Sequence, residues 1–516
     1  MIRKEDIVSP SVEFGPEPVA PSAVPRAAEA APRLPRRAIL TIHGMGQQIP
    51  FETIDAFTIG LVEEDKRRRK ELGLPPPPPA LARNVKVGAK VFQCTELELG
   101  GPSGPVEVDV YEAYWAPFTE GRVELKQVFG FLMRGAGRGL VTSLRPFRRW
   151  MFGGIQTFDR HWKTTLAFVA GACFVLVLLL LNLGAVPVLL RALKVGPQFE
   201  RLTPAVVEDL TALAIAFFIP IIACGLLMKA ALWLKRKDDF ERLVHTLALI
   251  LWPLLALVVV CAVGTLSGFG VLAFRNWSQP EAQSLFGWPR LTPKWTILVW
   301  LGVFVATLWI RRFLIQYVGD VAAYVSPETL DRFYELRNEI KDFAAEIGRG
   351  LYQQKAADGE AWLYRDVIVV GHSLGSVVAY DLLDRLIVED TLGAGLGVLD
   401  RTRGLLTFGS PLDKTAFIFG FRGSETGVPR EILAARVQPL IDSYDFRTFP
   451  WVNVFSAADL VSGRLRFYDT PSPPSGAARR RRVWNRRDPD AKIPLAAHLE
   501  YWHNPTLFRR LHRLAE

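Results

Sequence analysis

The sequence predicts an α/β fold, a mostly parallel sheet with helices on both faces, into which a bundle of about four transmembrane helices is inserted. Short β-branched strands that run into glycine-rich turns occur near the start of the chain, and strands alternate with helical patterns after residue 318. Residues 166–317 between them hold long stretches without charge. Strand–helix alternation favours a parallel sheet, and uncharged stretches of about 20 residues favour membrane-spanning helices.

The composition is apolar and basic. Of the 516 residues, 50% are hydrophobic and 22% are charged, and the net charge is +10. These values exclude a disordered chain and indicate a partner with a negatively charged surface, either nucleic acid or anionic lipid. The 4 cysteines are too few for a disulfide scaffold, and no Cys/His spacing typical of a metal site occurs. We therefore expect neither a metal ion nor another cofactor.

Three uncharged stretches, 166–190, 210–228 and 246–274, are long enough to cross about 30 Å of hydrocarbon as helices. A fourth, 295–310, is shorter and spans if the two arginines that follow reach the headgroups and the helix continues to residue 318. The predicted regions are a disordered Pro/Ala-rich tail (1–36), a first soluble part (37–165), the membrane helices (166–317) and a second soluble part (318–516).

The soluble parts contain the strand patterns. We predict strands within the segments 37–46, 85–92, 106–115, 367–370, 405–411 and 451–455. The strand at 367–370 runs into GHSLG at 371–375, and an amphipathic helix follows. In a G-x-S-x-G sequence the serine lies on a strained strand-to-helix turn, where side chains at the flanking positions would crowd the backbone. Ser373 is therefore the candidate nucleophile, supported by Gly371, His372 and Gly375, and a plain helix cap formed by Ser373 is the alternative.

Four sequence features together resemble the α/β-hydrolase superfamily, in particular its lipase- and esterase-like members. They are HGMG at 43–46, GHSLG at 371–375, TFGSP at 407–411, and an acid and a histidine that follow in that order. The resemblance covers the two soluble parts and implies an α/β-hydrolase fold with inserted transmembrane helices.

The first glycine-rich turn has a distinct expected role. The oxyanion hole should combine the backbone N–H of Leu374 with one from the turn after the first strand, and the resemblance implies Met45 as that second donor. Gly44 and Gly46 let the backbone approach the substrate. The resemblance also implies that His43 supports this turn and is not the catalytic base.

Two residues compete for the role of acid. Asp459 follows the strand at 451–455 by four residues and is the preferred acid, whereas Asp413 follows the preceding strand. An Asx turn that caps a loop is the alternative for either residue.

Three histidines follow Asp459 in the chain. His498 is the preferred base because its segment resembles the family's base loop, His503 is the competitor, and His512 lies in an arginine-rich tail. In the expected chemistry His498 takes the proton of Ser373, the serine attacks an acyl carbonyl, and Asp459 holds the imidazole in the useful tautomer.

Strands of one sheet must lie on one side of a bilayer, so the two soluble parts require an even number of crossings. Lysines and arginines near the ends of the spans are more frequent on the side of the soluble parts. This distribution places the hydrolase domain in the cytosol. We therefore expect a multi-pass integral membrane protein, of a bacterial inner membrane, and the lack of an apolar signal-peptide core in the first residues agrees.

The sequence thus predicts a membrane-bound serine hydrolase that cleaves acyl esters. A thioesterase, peptidase or acyltransferase with the same triad, and a non-catalytic membrane scaffold that keeps the fold, are the alternatives. The expected partners are the lipid bilayer and a lipid-like acyl ester, and no nucleic acid is expected. The basic runs at 145–150 and 479–487 are expected to face anionic headgroups, and a solvated, mobile loop is the alternative for the second run.

Overall fold

The computed structural model describes residues 34–46, 49–88, 90–102, 104–144, 147–151, 154–158, 162–195, 203–237, 240–278, 283–287, 291–325, 333–356, 358–419, 433, 436–442, 447–469 and 482–516. Nearly all of the predicted N-terminal tail lies outside these residues. Parts of both basic runs, at 145–146 and 479–481, also lie outside them.

Eight strands of the described chain form one sheet, and two more form a separate antiparallel hairpin. The strands are β1 (Arg36–Ile42), β2 (Leu81–Val87), β3 (Lys90–Leu99), β4 (Val106–Ala113), β5 (Phe147–Met151), β6 (Gly154–Phe158), β7 (Asp366–His372), β8 (Thr402–Phe408), β9 (Trp451–Phe455) and β10 (Val483–Arg487). The order in the large sheet is β10-β9-β8-β7-β1-β4-β3-β2. The six strands from β10 to β4 are parallel, and β3 is antiparallel to both of its neighbours.

Helices cover both faces of this sheet and form the inserted bundle. They are α1 (Glu52–Leu72), α2 (Ala116–Thr119), α3 (Leu125–Leu144), α4 (Trp162–Ala192), α5 (Pro204–Lys235), α6 (Glu241–Ser278), α7 (Pro293–Val325), α8 (Phe333–Gln353), α9 (Gly375–Glu389), α10 (Val398–Arg401), α11 (Leu412–Phe419), α12 (Pro439–Asp442), α13 (Ala497–Glu500) and α14 (Pro505–Ala515). A π-helical turn (Asp390–Ala394) follows α9, and a 3₁₀ turn (Tyr501–His503) follows α13. The α/β class with a mostly parallel sheet is as the sequence predicted.

One strand prediction was wrong. The single strand expected over 85–92 is two antiparallel strands, β2 and β3, in which Val87 pairs with Lys90. Gly88 between them has a φ of 62°, in the left-handed region that glycine adopts without steric cost. The chain therefore reverses at the glycine that interrupts the β-branched run.

The two soluble parts of the chain meet at the centre of the sheet. Strands β1 and β7 pair in parallel, from Arg37 opposite Asp366 to Ile42 opposite Gly371. All four long apolar helices lie between these strands in the sequence. The carboxyl ends of β1 and β7 therefore lie side by side, although more than 300 residues separate them.

Helices α4, α5, α6 and α7 are long and apolar enough to cross a membrane, by length and composition. Side-chain hydrogen bonds join neighbouring helices of this bundle. The Thr307 hydroxyl of α7 donates to the Asn182 side-chain oxygen of α4 at 2.9 Å, and the Trp300 indole N–H donates to the Thr211 hydroxyl of α5 at 3.0 Å. Such contacts between side chains fix the relative position of neighbouring helices.

Helix α7 belongs to both the bundle and the soluble domain. Its 33 residues span about 50 Å at 1.5 Å per residue, which exceeds the thickness of a hydrocarbon core by roughly 20 Å. Ala322, Ala323 and Tyr324 in its last turns are buried in the main core beside the sheet. The fourth apolar helix therefore continues into the core of the soluble domain.

A buried ionic contact fastens the first strand. The Arg36 guanidinium donates two hydrogen bonds to Asp109 of β4, both at 3.0 Å, and the Tyr364 hydroxyl donates to the same carboxylate at 2.6 Å. The Asp109 side chain is fully buried. A buried ion pair of this kind is costly to break because the remaining charge stays in the protein interior.

We expect Asp109→Asn to lower the free energy of unfolding by about 3 kcal/mol, because Arg36 and the Tyr364 hydroxyl lose their fully buried charged acceptor and Arg36 keeps only the more exposed Glu96 and Glu107. The control is Glu63→Gln in the exposed Glu63–Lys66 pair, which should cost less than about 0.5 kcal/mol. Chemical unfolding of the purified protein in detergent, followed by tryptophan fluorescence, measures both changes. Equal losses in the two variants would contradict the assignment.

Candidate active site

The turn between β7 and α9 holds Ser373 in a strained conformation. Its φ is 51°, which is uncommon for a residue other than glycine, and the residue is fully buried. A Cβ added to Gly371 would lie 2.5 Å from the Ser376 Cα, and one added to Gly375 would lie 2.3 Å from the Ile42 carbonyl oxygen. Because these neighbours are backbone atoms that cannot move aside, the turn requires glycine on both sides of the serine.

Three side chains from separate parts of the chain form one line of hydrogen bonds. His498 Nε2 lies 2.8 Å from Ser373 Oγ, and His498 Nδ1 lies 3.0 Å from Asp459 Oδ2. Ser373 follows β7, Asp459 follows β9, and His498 lies in α13 after β10. The geometry fits a serine hydroxyl that donates to Nε2 and an Nδ1–H that donates to the carboxylate. The structure thus brings together the three residues that the sequence analysis preferred.

The carboxylate of Asp459 is held from several directions. Its Oδ1 accepts the backbone N–H groups of Val461 at 2.8 Å and Ser462 at 3.2 Å, and its Oδ2 accepts the Tyr501 hydroxyl at 2.9 Å. Burial by itself would raise the pKa of Asp459, but His498 and these hydrogen bonds lower the pKa well below its usual range. Asp459 therefore remains a charged acceptor for the imidazole.

Sequence reasoning missed Tyr501. Its hydroxyl accepts the Ser456 N–H at 2.8 Å while it donates to Asp459, and burial raises the pKa of the phenol, which keeps it protonated. Tyr501 follows His498 by three residues, and in a helical turn this spacing places both side chains on one face. That spacing is the signal that could have identified Tyr501 from the sequence.

The HGMG turn after β1 is fixed by His43. The His43 Nε2 accepts the backbone N–H groups of Trp115 at 2.9 Å and Ala116 at 3.3 Å, and the imidazole stacks on the Trp115 ring with centroids 4.8 Å apart. His43 Nδ1 lies 2.8 Å from the Gly44 carbonyl oxygen, to which it can donate. Burial lowers the pKa of His43 to about 4, so the ring is neutral. Both ring nitrogens are thus occupied by backbone groups of the turn and of the segment after β4.

The HGMG turn lies directly against the serine turn. A Cβ added to Gly44 would lie 2.8 Å from the Ser373 Cβ. Leu374 is fully buried, and its backbone N–H forms no hydrogen bond with the residues that the structure describes. Met45 is half-buried in the same turn. The two residues expected to supply oxyanion donors therefore belong to the two turns that meet at Ser373.

His372 packs beside His498 and holds its backbone in place. Its Nε2 donates to the His498 carbonyl oxygen at 3.2 Å, and its ring stacks on Phe408 with centroids 4.7 Å apart. Burial lowers the pKa of His372 to about 3, which keeps it neutral and prevents repulsion of a protonated His498. Gly409, with a φ of 61°, leaves room for both imidazoles.

The competing residues have other contacts. Asp413 accepts the backbone N–H groups of Arg466 at 2.7 Å and Phe467 at 3.2 Å, and burial raises its pKa to about 7. His512 is buried and its Nε2 lies 2.8 Å from Asp65 Oδ1. His503 is exposed in the 3₁₀ turn. Among the described residues, no group of three or more His, Cys, Asp and Glu side chains could hold a metal ion.

We expect the penalty of His43→Asn on stability to shrink as the pH falls. The unfolded histidine takes a proton near pH 6.5, whereas the folded one does so only near pH 4. Its contribution is therefore complete above pH 6.5 and declines by about 1.4 kcal/mol per pH unit below that. Unfolding of both proteins at pH 7 and pH 5 should show the difference in free energy fall by roughly 2 kcal/mol. A difference that stays constant would show that His43 titrates normally in the fold.

Comparison with known proteins found no match: no family model, no curated protein and no solved structure is similar to this chain. The chemistry of the site is therefore inferred from the contacts of its own side chains.

Proposed function

We propose that this protein is a membrane-bound serine hydrolase with an α/β-hydrolase fold, similar to lipases and esterases, and that it cleaves acyl esters. The observation that carries the proposal is the line of hydrogen bonds from Ser373 through His498 to Asp459. A buried serine on a strained turn, an imidazole within 2.8 Å and an ionised acid behind it are the parts that nucleophilic acyl transfer requires.

Each step of the proposed reaction has a residue that performs it. His498 Nε2 takes the proton of Ser373 as Oγ attacks the acyl carbonyl carbon, and the carbonyl oxygen becomes an oxyanion. His498 then passes that proton to the leaving alcohol, which departs and leaves an acyl-enzyme. A water molecule then gives a proton to His498 and attacks the carbonyl carbon of the acyl-enzyme. The bond from that carbon to Ser373 Oγ breaks, the same proton returns from His498 to Oγ, and the carboxylic acid leaves. Asp459 stabilises the imidazolium of His498 both when the acyl-enzyme forms and when it is hydrolysed.

The two glycine-rich turns are the proposed oxyanion hole. The N–H of Leu374 lies at the start of α9, and that of Met45 lies in the neighbouring turn. Preorganised backbone donors of this kind contribute about 2.7–4 kcal/mol each to the stability of the transition state. The left-handed φ of Ser373 and the absence of side chains at the flanking glycines let both turns approach the reacting carbonyl.

The apolar helices support a substrate taken from the bilayer. Lys235 at the end of α5 donates to the Asp490 carbonyl oxygen at 2.6 Å and to Glu500 at 2.7 Å, so the segment that carries His498 lies at the end of that helix. The pairing of β1 with β7 requires both ends of the inserted bundle on one side of the membrane, and four spans satisfy this. With more lysines and arginines on that side, we propose a multi-pass protein whose hydrolase domain is cytoplasmic and acts on lipid-like acyl esters.

Ser373→Ala should abolish both hydrolysis of short acyl esters and labelling by a fluorophosphonate probe, because the attacking oxygen is gone. Gel fluorescence of labelled membranes and release of a chromogenic alcohol measure the two effects. The control is Ser143→Ala, which removes another buried hydroxyl, one that contacts Thr165 at 2.8 Å in the α3–α4 packing. A wild-type protein that neither hydrolyses esters nor labels would favour a non-catalytic scaffold.

Asp459→Asn should lower kcat on the order of 10⁴-fold, because an amide cannot hold the imidazole in the tautomer that accepts the serine proton. Asp413→Asn is the matched control, since it replaces another buried carboxylate that also accepts two backbone N–H groups. It should retain kcat within a few fold. The opposite order of effects would assign the acid to Asp413.

A panel of acyl donors separates the alternatives that share this triad. Oxygen esters, thioesters and anilides of one acyl group should be compared at equal concentration, with and without an added alcohol as acyl acceptor. The proposal expects the oxygen ester to have the highest kcat/KM with water as acceptor. Preference for a thioester or an anilide, or transfer to the alcohol, would replace esterase by thioesterase, peptidase or acyltransferase.

A further inference from the structure

One membrane helix reaches into the candidate active site. Near its carboxyl end, α7 carries Asp320, whose Oδ2 accepts the backbone N–H of Gly46 at 2.7 Å. Asp320 is only 5% exposed. Ionisable residues on apolar helices are costly to bury, so their positions point to a specific role. Here the carboxylate meets the Thr119 side chain and the backbone of Gly46, the last residue of the HGMG turn.

Two residues of α7, Tyr317 and Asp320, contact this turn. Gly46 has a φ of 99°, which a side chain would strain, and a Cβ at this position would lie 2.9 Å from the Tyr317 ring. Tyr317 and Asp320 are three residues apart and face the same side of α7. Helix α7 therefore packs against the backbone of Gly46 and also accepts its N–H.

We propose that Asp320 is a positioning residue that holds the HGMG turn, and with it the Met45 N–H, in the geometry needed to bind an oxyanion. This inference deepens the proposed function and rests on it. The Gly46 N–H belongs to the peptide group that follows Met45, so the hydrogen bond to Asp320 fixes the plane next to the donor. His43 holds the other end of the same turn.

The sign of the charge shows how Asp320 acts. A carboxylate near a developing oxyanion repels it, so Asp320 cannot stabilise the transition state by its own field. Its contribution is geometric: oxyanion donors act only when they are fixed in advance, and removal of one donor costs about 10²–10³-fold in kcat. An uncharged acceptor of the same shape should therefore replace the carboxylate without loss.

The experiment compares Asp320→Ala with Asp320→Asn in the full-length protein in detergent, with a soluble short-chain ester as substrate. Asp320→Ala should lower kcat by about 10–100-fold and leave KM within about threefold, because the turn loses its anchor while the rest of the site remains. Asp320→Asn keeps an oxygen that can accept the Gly46 N–H and should restore kcat to within about threefold of wild type. Because a smaller folded fraction would also lower the apparent kcat without changing KM, kcat is expressed per active molecule, counted by fluorophosphonate labelling of Ser373. A role in folding alone would then leave kcat unchanged.

The matched control is Asp384→Ala. Asp384 is another buried aspartate that accepts a backbone N–H, that of Leu440 at 3.0 Å, and it lies on α9 about 16 Å along the helix axis from Ser373. Asp384→Ala should lower the unfolding temperature but leave kcat per folded molecule unchanged. If Asp320→Ala does not fold, Asp320→Glu shifts the carboxylate by one methylene and should lower kcat instead.

The outcomes distinguish a failure of the positioning role of Asp320 from a failure of the hydrolase assignment. Unchanged kcat in Asp320→Ala, equal losses in the alanine and asparagine variants, or an equal loss in Asp384→Ala would overturn the positioning role while the hydrolase assignment stands. A wild-type protein without esterase activity or Ser373-dependent labelling would overturn both.

Discussion

The parallel pairing of β1 with β7 is the constraint on which the rest of the molecule depends. It joins two parts of the chain that are separated by four apolar helices, and it therefore keeps both ends of that insertion beside the same sheet. The same pairing brings Gly44 against Ser373, because each strand ends in a glycine-rich turn at the same edge of the sheet. One set of backbone hydrogen bonds thus determines both where the inserted apolar helices begin and end and the contact between the two turns.

Local patterns in the sequence predicted the parts of the structure that local forces determine. The strand, turn and helix around GHSLG, the strand Trp451–Phe455 and the four apolar helices all follow from hydrophobic period, length and glycine placement. The hairpin at Gly88 was missed because a single glycine in a β-branched run can mark either an irregular strand or a turn, and only the antiparallel partner decides. The strand β10 was missed because its sequence, VWNRR, is mostly polar at an edge.

The site could be predicted only as far as its residues have local signals. From the sequence, both Asp413 and Asp459 were candidates for the acid, and their contacts in the fold distinguish them. Asp413 accepts backbone N–H groups of a loop, whereas Asp459 contacts the His498 imidazole. Tyr501 and Asp320 were not identified, although Tyr501 follows His498 at a helical spacing. Their roles arise from tertiary contacts. The spacing from His498 was a signal for Tyr501, whereas nothing in the sequence around Asp320 indicates that its carboxylate contacts the Gly46 N–H.

Direct contacts with both sides of the site set this insertion apart from a simple anchor. Lys235 of α5 bonds to the segment that carries His498, and Asp320 of α7 bonds to the HGMG turn. Because α7 is one helix from the apolar bundle into the soluble core, a change in its tilt would move Asp320 with no flexible joint to absorb the motion. Misplacement of catalytic groups by about 1 Å can cost on the order of 100-fold in rate. In the proposed multi-pass arrangement, helix tilt responds to bilayer thickness, so the membrane would contribute to the alignment of the proposed oxyanion hole.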